Sequence, residues 1–321
     1  MTKLRVGVMR GGLGSEYSVS LNTGKNVLNA LPKDKYEGRD LLITGDGVWH
    51  INGMPTTPAK LAQHVDVVFN ALHGEFGEDG KVQNILELFK MPYTGSTALP
   101  SAIGMNKELA KKYFSAAGIK VPRGMVISRG EEVSDVVARV GAEINAPYVV
   151  KPLAGGSSFG LSLARDTQEL IDALEKALAY GEKAMIEEYV RGREMTVGVI
   201  DSAKGFGSYV SSPLEILLPE NTLFDYDQKY NNLMHPIGPA RMSEVDRKAL
   251  EETALLAHAH LGARHYARYD FIVNEDGPHL LEVNTLPGLT DNSLLMKSLA
   301  LNGLLLPEFV DYVLTLALQK K

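Results

Sequence analysis

The sequence predicts an α/β protein built from successive α/β units, and three observations carry that prediction. Short apolar runs alternate with amphipathic stretches through the first hundred positions. The alternation resumes after a segment rich in Gly, Pro, Ser and Thr that begins at Met91. From Ala184 onward strand-like runs dominate. With 321 residues, 45% of them apolar and 22% charged, the chain can form two or three packed units and is too balanced in composition to be disordered.

Residues 4–9 (LRVGVM) enter Gly11-Gly12, which predicts a buried strand and a tight turn. Ser18 to Leu31 then reads as a helix that stops before Pro32. VDVVFNAL from Val65 is a second strand, HGEFGEDG from His73 a turn, and Lys81 to Phe89 a second helix. Strand and helix in alternation favour a parallel sheet, and the MPYTGSTALPSAIG stretch puts the first boundary near residue 98. Asn106 is a good cap for KELAKKYFSAAG, which Gly118 ends. PYVVKP from Pro147 is a strand, GGSSFG a loop, and Asp166 with Glu169 a capping box that opens a helix to Ala179. AMIEEYV, EMTVGVI and YVSSPLEILL read as three strands, and the polar stretch at 219–232 as a surface lid. Ser243 starts a long amphipathic helix to Leu261. YDFIV, the turn NEDG and HLLEVN form a hairpin, and a last helix runs from about Leu304 to Leu318.

Composition removes several classes of function. A net charge of −6 argues against a diffuse basic surface for nucleic acid, and the absence of Cys removes disulfides and thiolate chemistry. The first apolar run is too short for a signal-peptide core, and no uncharged stretch approaches the roughly 20 residues of a membrane span. No membrane and no nucleic acid is the expectation, with a cytoplasmic location.

Four segments could carry chemistry. The turn Arg10 to Glu16 lacks the G-x-G-x-x-G spacing of a dinucleotide site, and Glu16 could simply favour the helix N-terminus. Lys151 ends a buried strand and precedes a Gly/Ser loop, a combination that can wrap a polyphosphate or serve as a plain connection. The hairpin is the most specific. Arg268 and Asp270 share one face of a strand, Glu282 and Asn284 share a face of the next, and Asp270 falls within about one residue of register with Glu282. Converging oxygen ligands of this kind suit Mg²⁺. The alternative is a hairpin in which Arg268 neutralises Asp270. Lys229-Tyr230 in the lid matters only if the lid closes on the site.

Taken together, HGEFGEDG with Gln83, the Lys151 loop, Glu194, the Asp225 to Tyr230 run, Arg268-x-Asp270 and the stretch from Glu282 to Gly288 resemble the D-alanine-D-alanine ligases of the ATP-grasp superfamily. The likeness is collinear over nearly the whole chain. It implies an ATP-grasp fold of three parts: a Rossmann-like substrate domain with a parallel sheet (1–98), a central nucleotide-binding part (99–187) and a C-terminal catalytic part (188–321) with the lid at 219–232. By resemblance, Lys107, Lys151 and Lys229 hold nucleotide phosphates, and Glu187 and Glu194 contact adenine and ribose. Asp270, Glu282 and Asn284 bind two Mg²⁺ ions, for which Mn²⁺ could substitute. Glu16 receives the ammonium of the first D-alanine, with Ser157 and Tyr230 linking it to the lid and His73 nearby. Arg268 and Gly288 stabilise the developing oxyanion, while Ser293 and Leu294 take the second carboxylate.

The implied reaction is ATP-dependent joining of two D-alanines through an acyl phosphate, for peptidoglycan precursor synthesis, by a homodimer. The alternatives are a ligase for D-serine or D-lactate, Tyr230 counting against lactate, and a non-catalytic nucleotide-binding protein. Leu13-Gly14, Asn106, Phe159 and Met296 depart from the family's usual residues, and Met296 in place of a proline implies a less rigid loop over the second substrate.

Overall fold

The computed structural model describes residues 2–153, 160–202, 207–217 and 235–319. In the N-terminal sheet, ordered β4-β3-β2-β1-β5, β1 (Leu4–Gly11) pairs in parallel with β2 (Tyr36–Ile43) and with β5 (Val67–Asn70). Helix α1 (Tyr17–Ala30) makes the first crossover. The expected parallel sheet holds for these three strands and fails at the edge, where β3 (Trp49–Ile51) and β4 (Met54–Thr56) add antiparallel. The reason is local: Gly47 N donates to Thr44 O at 2.8 Å, and so tight a turn can only reverse the chain. A 3₁₀ turn (Pro58–Lys60), α2 (Leu61–His64) and α3 (Lys81–Leu88) complete the unit.

The segment from Met91, whose composition put the first boundary near residue 98, is half helical: α4 spans Ala98–Met105. Its Pro100 lies in the first turn, where a missing N–H breaks no helical bond. Helix α5 (Lys107–Ala116) follows at once, and Asn106 caps it as expected, its Oδ1 accepting from Leu109 N at 3.0 Å.

The central sheet is antiparallel and ordered β6-β9-β7-β8. It comprises β6 (Gly124–Ser128), β7 (Tyr148–Pro152), β8 (Ser162–Ala164) and β9 (Lys183–Glu188), backed by α6 (Val133–Glu143) and α7 (Thr167–Leu178). Asp166 caps α7 as expected, accepting from Glu169 N at 2.9 Å. Glu169 reaches back to Arg165 N at 2.8 Å, one residue before the cap, so the box closes a residue early.

The C-terminal sheet contains β10 (Arg193–Asp201), β11 (Ser208–Val210), β12 (Leu214–Leu217), β13 (His235–Ile237), β14 (Tyr266–Asn274) and β15 (Gly277–Asn284). Its order is β13-β12-β10-β14-β15, with β11 also on β10. The single strand expected from Tyr209 is thus two. Ser211 turns inward to accept from Gly198 N at 2.8 Å, and Pro213 has no N–H to continue a ladder. Helix α8 (Glu244–Leu261) is capped by Ser243, which accepts from Asp246 N at 3.0 Å, and ends at Gly262, whose φ of +68° suits glycine. Helices α9 (Leu294–Ala300) and α10 (Leu306–Leu318) close the chain.

The cores cross the sequence boundaries. Phe309, Val310, Val313 and Leu314 of α10 share one cluster with Val6, Val8, Val67 and Phe69, so the last helix covers a face of the first sheet. Ile103, Ala110 and Phe114 of α4 and α5 pack with Val197, Tyr269 and Val283 of the C-terminal sheet. Met296 lies within α9, 7% exposed and packed into the first of these clusters, so the expected looseness of a loop at this position is not what the fold contains. Among the described residues no helix is long and apolar enough to cross a membrane.

Candidate active site

The hairpin sets the centre of the site. Asp270 pairs directly with Glu282 and Arg268 with Asn284, a register that holds up to a bulge after Asp270. Arg268 grips Asp270 with both arms, Nε to Oδ1 at 2.9 Å and Nη2 to Oδ2 at 2.7 Å, and Thr196 on β10 donates to Oδ1 at 2.6 Å. The ion-paired hairpin left open by the sequence is therefore present. Burial alone would lower the Arg268 pKa, but Asp270 outweighs it and raises the value, so the guanidinium stays charged. A carboxylate offers about four lone-pair positions, so three accepted bonds leave Asp270 about one for a further ligand. Asp270, Glu282 and Asn284 are all hard oxygen donors on adjacent strands, a set whose chemistry fits Mg²⁺. Asn284 Oδ1 also accepts from Leu286 N at 3.1 Å, which folds the chain back after β15. Among the described residues no three His, Asp or Glu side chains cluster as a metal site, so the amide of Asn284 is needed to complete the set.

A second group of acids faces this hairpin from the N-terminal sheet. Glu16 precedes α1, and its carboxylate lies against Gly74: a Cβ at Gly74, where φ is +65°, would stand 2.3 Å from Glu16 Oε2. His73 is buried, with Nε2 2.8 Å from Thr23 Oγ1. Burial lowers its pKa against the pull of the Glu16 charge. Glu78 accepts from Gly74 N at 3.0 Å. Its carboxyl is pushed up to about 8, first by burial and then by Glu16, with Gly74 N, the Leu286 backbone and Arg268 opposing. Gln83 donates to Gly77 O at 2.7 Å and holds the turn that carries these residues. Glu16, His73, Glu78 and Arg268 thus interact although three separate segments supply them.

The third group is cationic. Lys151 at the end of β7 and Lys111 on α5 lie 2.9 Å from the two carboxylate oxygens of buried Glu187. Burial acts to raise the Glu187 pKa, yet the two ammonium groups hold it below the usual carboxylate range. Lys107, one helical turn before Lys111, lines a small cavity together with Lys111 and Glu282. Glu194 stands on β10 opposite Ile272.

After the hairpin, Ser293 Oγ accepts from Thr290 N at 2.9 Å, and Gly288 leaves space beside it: a Cβ there would meet Ser293 Oγ at 3.0 Å. Leu294 opens α9 and is buried. Ser157, Lys229 and Tyr230, expected in the site, lie outside the described residues, as do Phe159 and the whole of the expected lid at 219–232. Sequence reading missed Lys111, Glu78 and Thr196. Lys111 stands four residues after Lys107 on one helix face, and Glu78 lies within the glycine-rich turn, so both carried a signal. Thr196 carried none.

The arrangement has close counterparts. Residues 51–96 match the family described as "D-ala D-ala ligase N-terminus" and residues 113–315 that described as "D-ala D-ala ligase C-terminus". A D-alanine–D-alanine ligase of Geobacter sulfurreducens is 38% identical over 314 residues, 97% of this chain and 93% of that protein. The crystal structure of the D-alanine–D-alanine ligase of Bacillus anthracis complexed with ATP is 30% identical with a TM-score of 0.79, covering 98% of this chain and 97% of that one. The VanG D-Ala:D-Ser ligase of Enterococcus faecalis is 28% identical with a TM-score of 0.85, covering 99% of this chain and 100% of that one.

Proposed function

The chain belongs to the D-alanine–D-alanine ligase family of ATP-grasp fold, and from that premise we infer that it joins two D-alanines into D-alanyl-D-alanine with ATP as the driving nucleotide. The supporting observation is the full-length likeness to ligases of that name together with the hairpin that sets Asp270 opposite Glu282. A D-serine acceptor is the second reading; the likeness to the Enterococcus faecalis enzyme is at lower identity than that to the D-alanine–D-alanine ligases and does not favour it.

A carboxylate is a poor electrophile, so the first D-alanine must be activated by phosphoryl transfer from ATP to its carboxyl oxygen, and the resulting acyl phosphate is then attacked by the amine of the second. In this reading Glu16 receives the ammonium of the first amino acid, with His73 beside it. Lys107 and Lys151 hold phosphates, and Glu187 and Glu194 take adenine and ribose. Lys229 is the third phosphate-binding lysine, and Ser157 and Tyr230 belong with Glu16 to the first amino acid's set. Asp270, Glu282 and Asn284 would hold Mg²⁺, which when bound neutralises phosphate charge. Arg268, fixed by its fork on Asp270, stabilises the oxygen that turns negative as the amine attacks, aided by Gly288 N–H. One good donor of that kind elsewhere contributes roughly 3–4 kcal/mol. Ser293 and the Leu294 backbone receive the carboxylate of the second amino acid. A cytoplasmic homodimer supplying peptidoglycan precursor belongs to the same proposal.

Phosphate release from ATP that depends on both D-alanine and Mg²⁺, with D-alanyl-D-alanine detected by mass, is the expected result. A panel of L-alanine, D-serine and D-lactate separates the readings. Absence of any dipeptide mass would overturn both.

A further inference from the structure

Lys111 has no part in the reaction as read so far, yet it is built into the site. Its ammonium lies 2.9 Å from Glu187 Oε1 while Lys151 lies 2.9 Å from Oε2, and the three side chains are 11%, 12% and 3% exposed for Lys111, Lys151 and Glu187. Lys111 has a second anchor, donating to Pro122 O at 3.0 Å. Lys151 has none among the described residues. The next lysine, Lys112, is 71% exposed and pairs with Glu108, so the burial of Lys111 is specific to its face of α5. Two buried cations share one carboxylate, an excess of positive charge that is unfavourable away from water unless an anion offsets it.

We propose that Lys111 is a positioning residue for the nucleotide: as the standing counter-ion of Glu187, it lets Lys151 leave that carboxylate and meet the triphosphate. The inference rests on the reading of Lys151 as a phosphate ligand. Without Lys111, every movement of Lys151 toward phosphate would strand a buried, unpaired Glu187. With it, Glu187 keeps one partner, held in place by Pro122 O, and its Oε2 becomes an acceptor for the exocyclic amine of adenine. The asymmetry of anchoring decides which lysine moves.

The test is titration calorimetry of Mg-ATP into the full chain and its Lys111→Met, Lys111→Arg, Glu187→Gln and Lys111→Met/Glu187→Gln variants. Lys111→Met should weaken ATP about tenfold or more, and Lys111→Arg should recover most of that loss. In the Glu187→Gln background the same Lys111→Met change should cost less than about twofold, because no charged carboxylate is left to strand. The KM for D-alanine should stay within about twofold throughout. If Lys111→Met fails to fold, Lys111→Gln, which removes the charge and keeps a polar donor on a side chain one atom shorter, takes its place. Unchanged ATP affinity in the Lys111 variant, or an equal loss in both backgrounds, would overturn the proposal. A wild-type chain that does not bind Mg-ATP would instead refute the nucleotide reading itself.

Discussion

Replacing Glu78 with Gln should flatten the pH dependence of stability by an amount set by the burial of one carboxyl. In the fold its pKa is pushed from 4.5 up to about 8, with burial the main cause and the charge of Glu16 the next. Between those values the folded chain carries a proton that the unfolded chain has released, so stability falls as pH rises through this window. The sign is the reverse of that for a salt-bridged acid. Each pH unit well inside the window costs about 1.4 kcal/mol, and allowing for the rounding near its ends the wild type should lose about 2.5 kcal/mol through Glu78 between about pH 5.5 and 7.5. Gln has nearly the same shape, accepts the same bond from Gly74 N and does not ionise. Urea unfolding of both proteins at the two pH values measures the effect. The stability of the variant relative to wild type should rise by about 2.5 kcal/mol on going to the higher pH. A relative stability that does not change with pH would refute a protonated Glu78 in the fold. The consequence for the site is that Glu78 faces the Glu16 charge as a neutral acid rather than as a second charge.

Three further outcomes are expected. Gly74→Ala puts a methyl where Glu16 Oε2 stands and strains a backbone at φ +65°. It should cost about 1–2 kcal/mol in stability and raise the D-alanine KM about tenfold or more while leaving the ATP KM in place, as steady-state kinetics would read. Glu282→Gln keeps the hairpin and removes a charged oxygen facing Asp270. Turnover should fall to background with an unchanged circular dichroism spectrum, and retained activity would remove Glu282 from the metal set. Ser243→Ala deletes the α8 cap, far in sequence from the acids. It should lower stability by about 1 kcal/mol in urea unfolding with kcat unaltered.

Much of the site was legible because β-structure has period two. Arg268 and Asp270, and Glu282 and Asn284, had to share faces, but counting back from the Asn274–Gly277 pair brings Asp270 only within one residue of Glu282, and it is the bulge after Asp270 that puts the two in register. Caps were legible for the same local reason, as Asn106 and Ser243 illustrate. The antiparallel edge of the first sheet and the helix α4 were not read, although Thr44 to Gly47 held a turn signal and Pro100 could sit in a first helical turn. Lys111 and Glu78 escaped because a lone lysine or glutamate on a helix or turn is ordinarily solvated. Only burial makes the first a counter-ion and the second a neutral acid.

By itself, then, the sequence determined the local geometry: which residues point the same way along a strand, where helices begin, and which donor types accumulate at the hairpin. Backbone periodicity and capping are short-range, and a few consecutive residues suffice to set them. Tertiary structure decided what lies across from what: α10 on the first sheet, α4 and α5 on the last, Glu78 facing Arg268, and Glu187 between two lysines. Those pairings join residues tens to hundreds of positions apart, and the charge each group carries depends on how far water has been excluded around it, which no local pattern encodes.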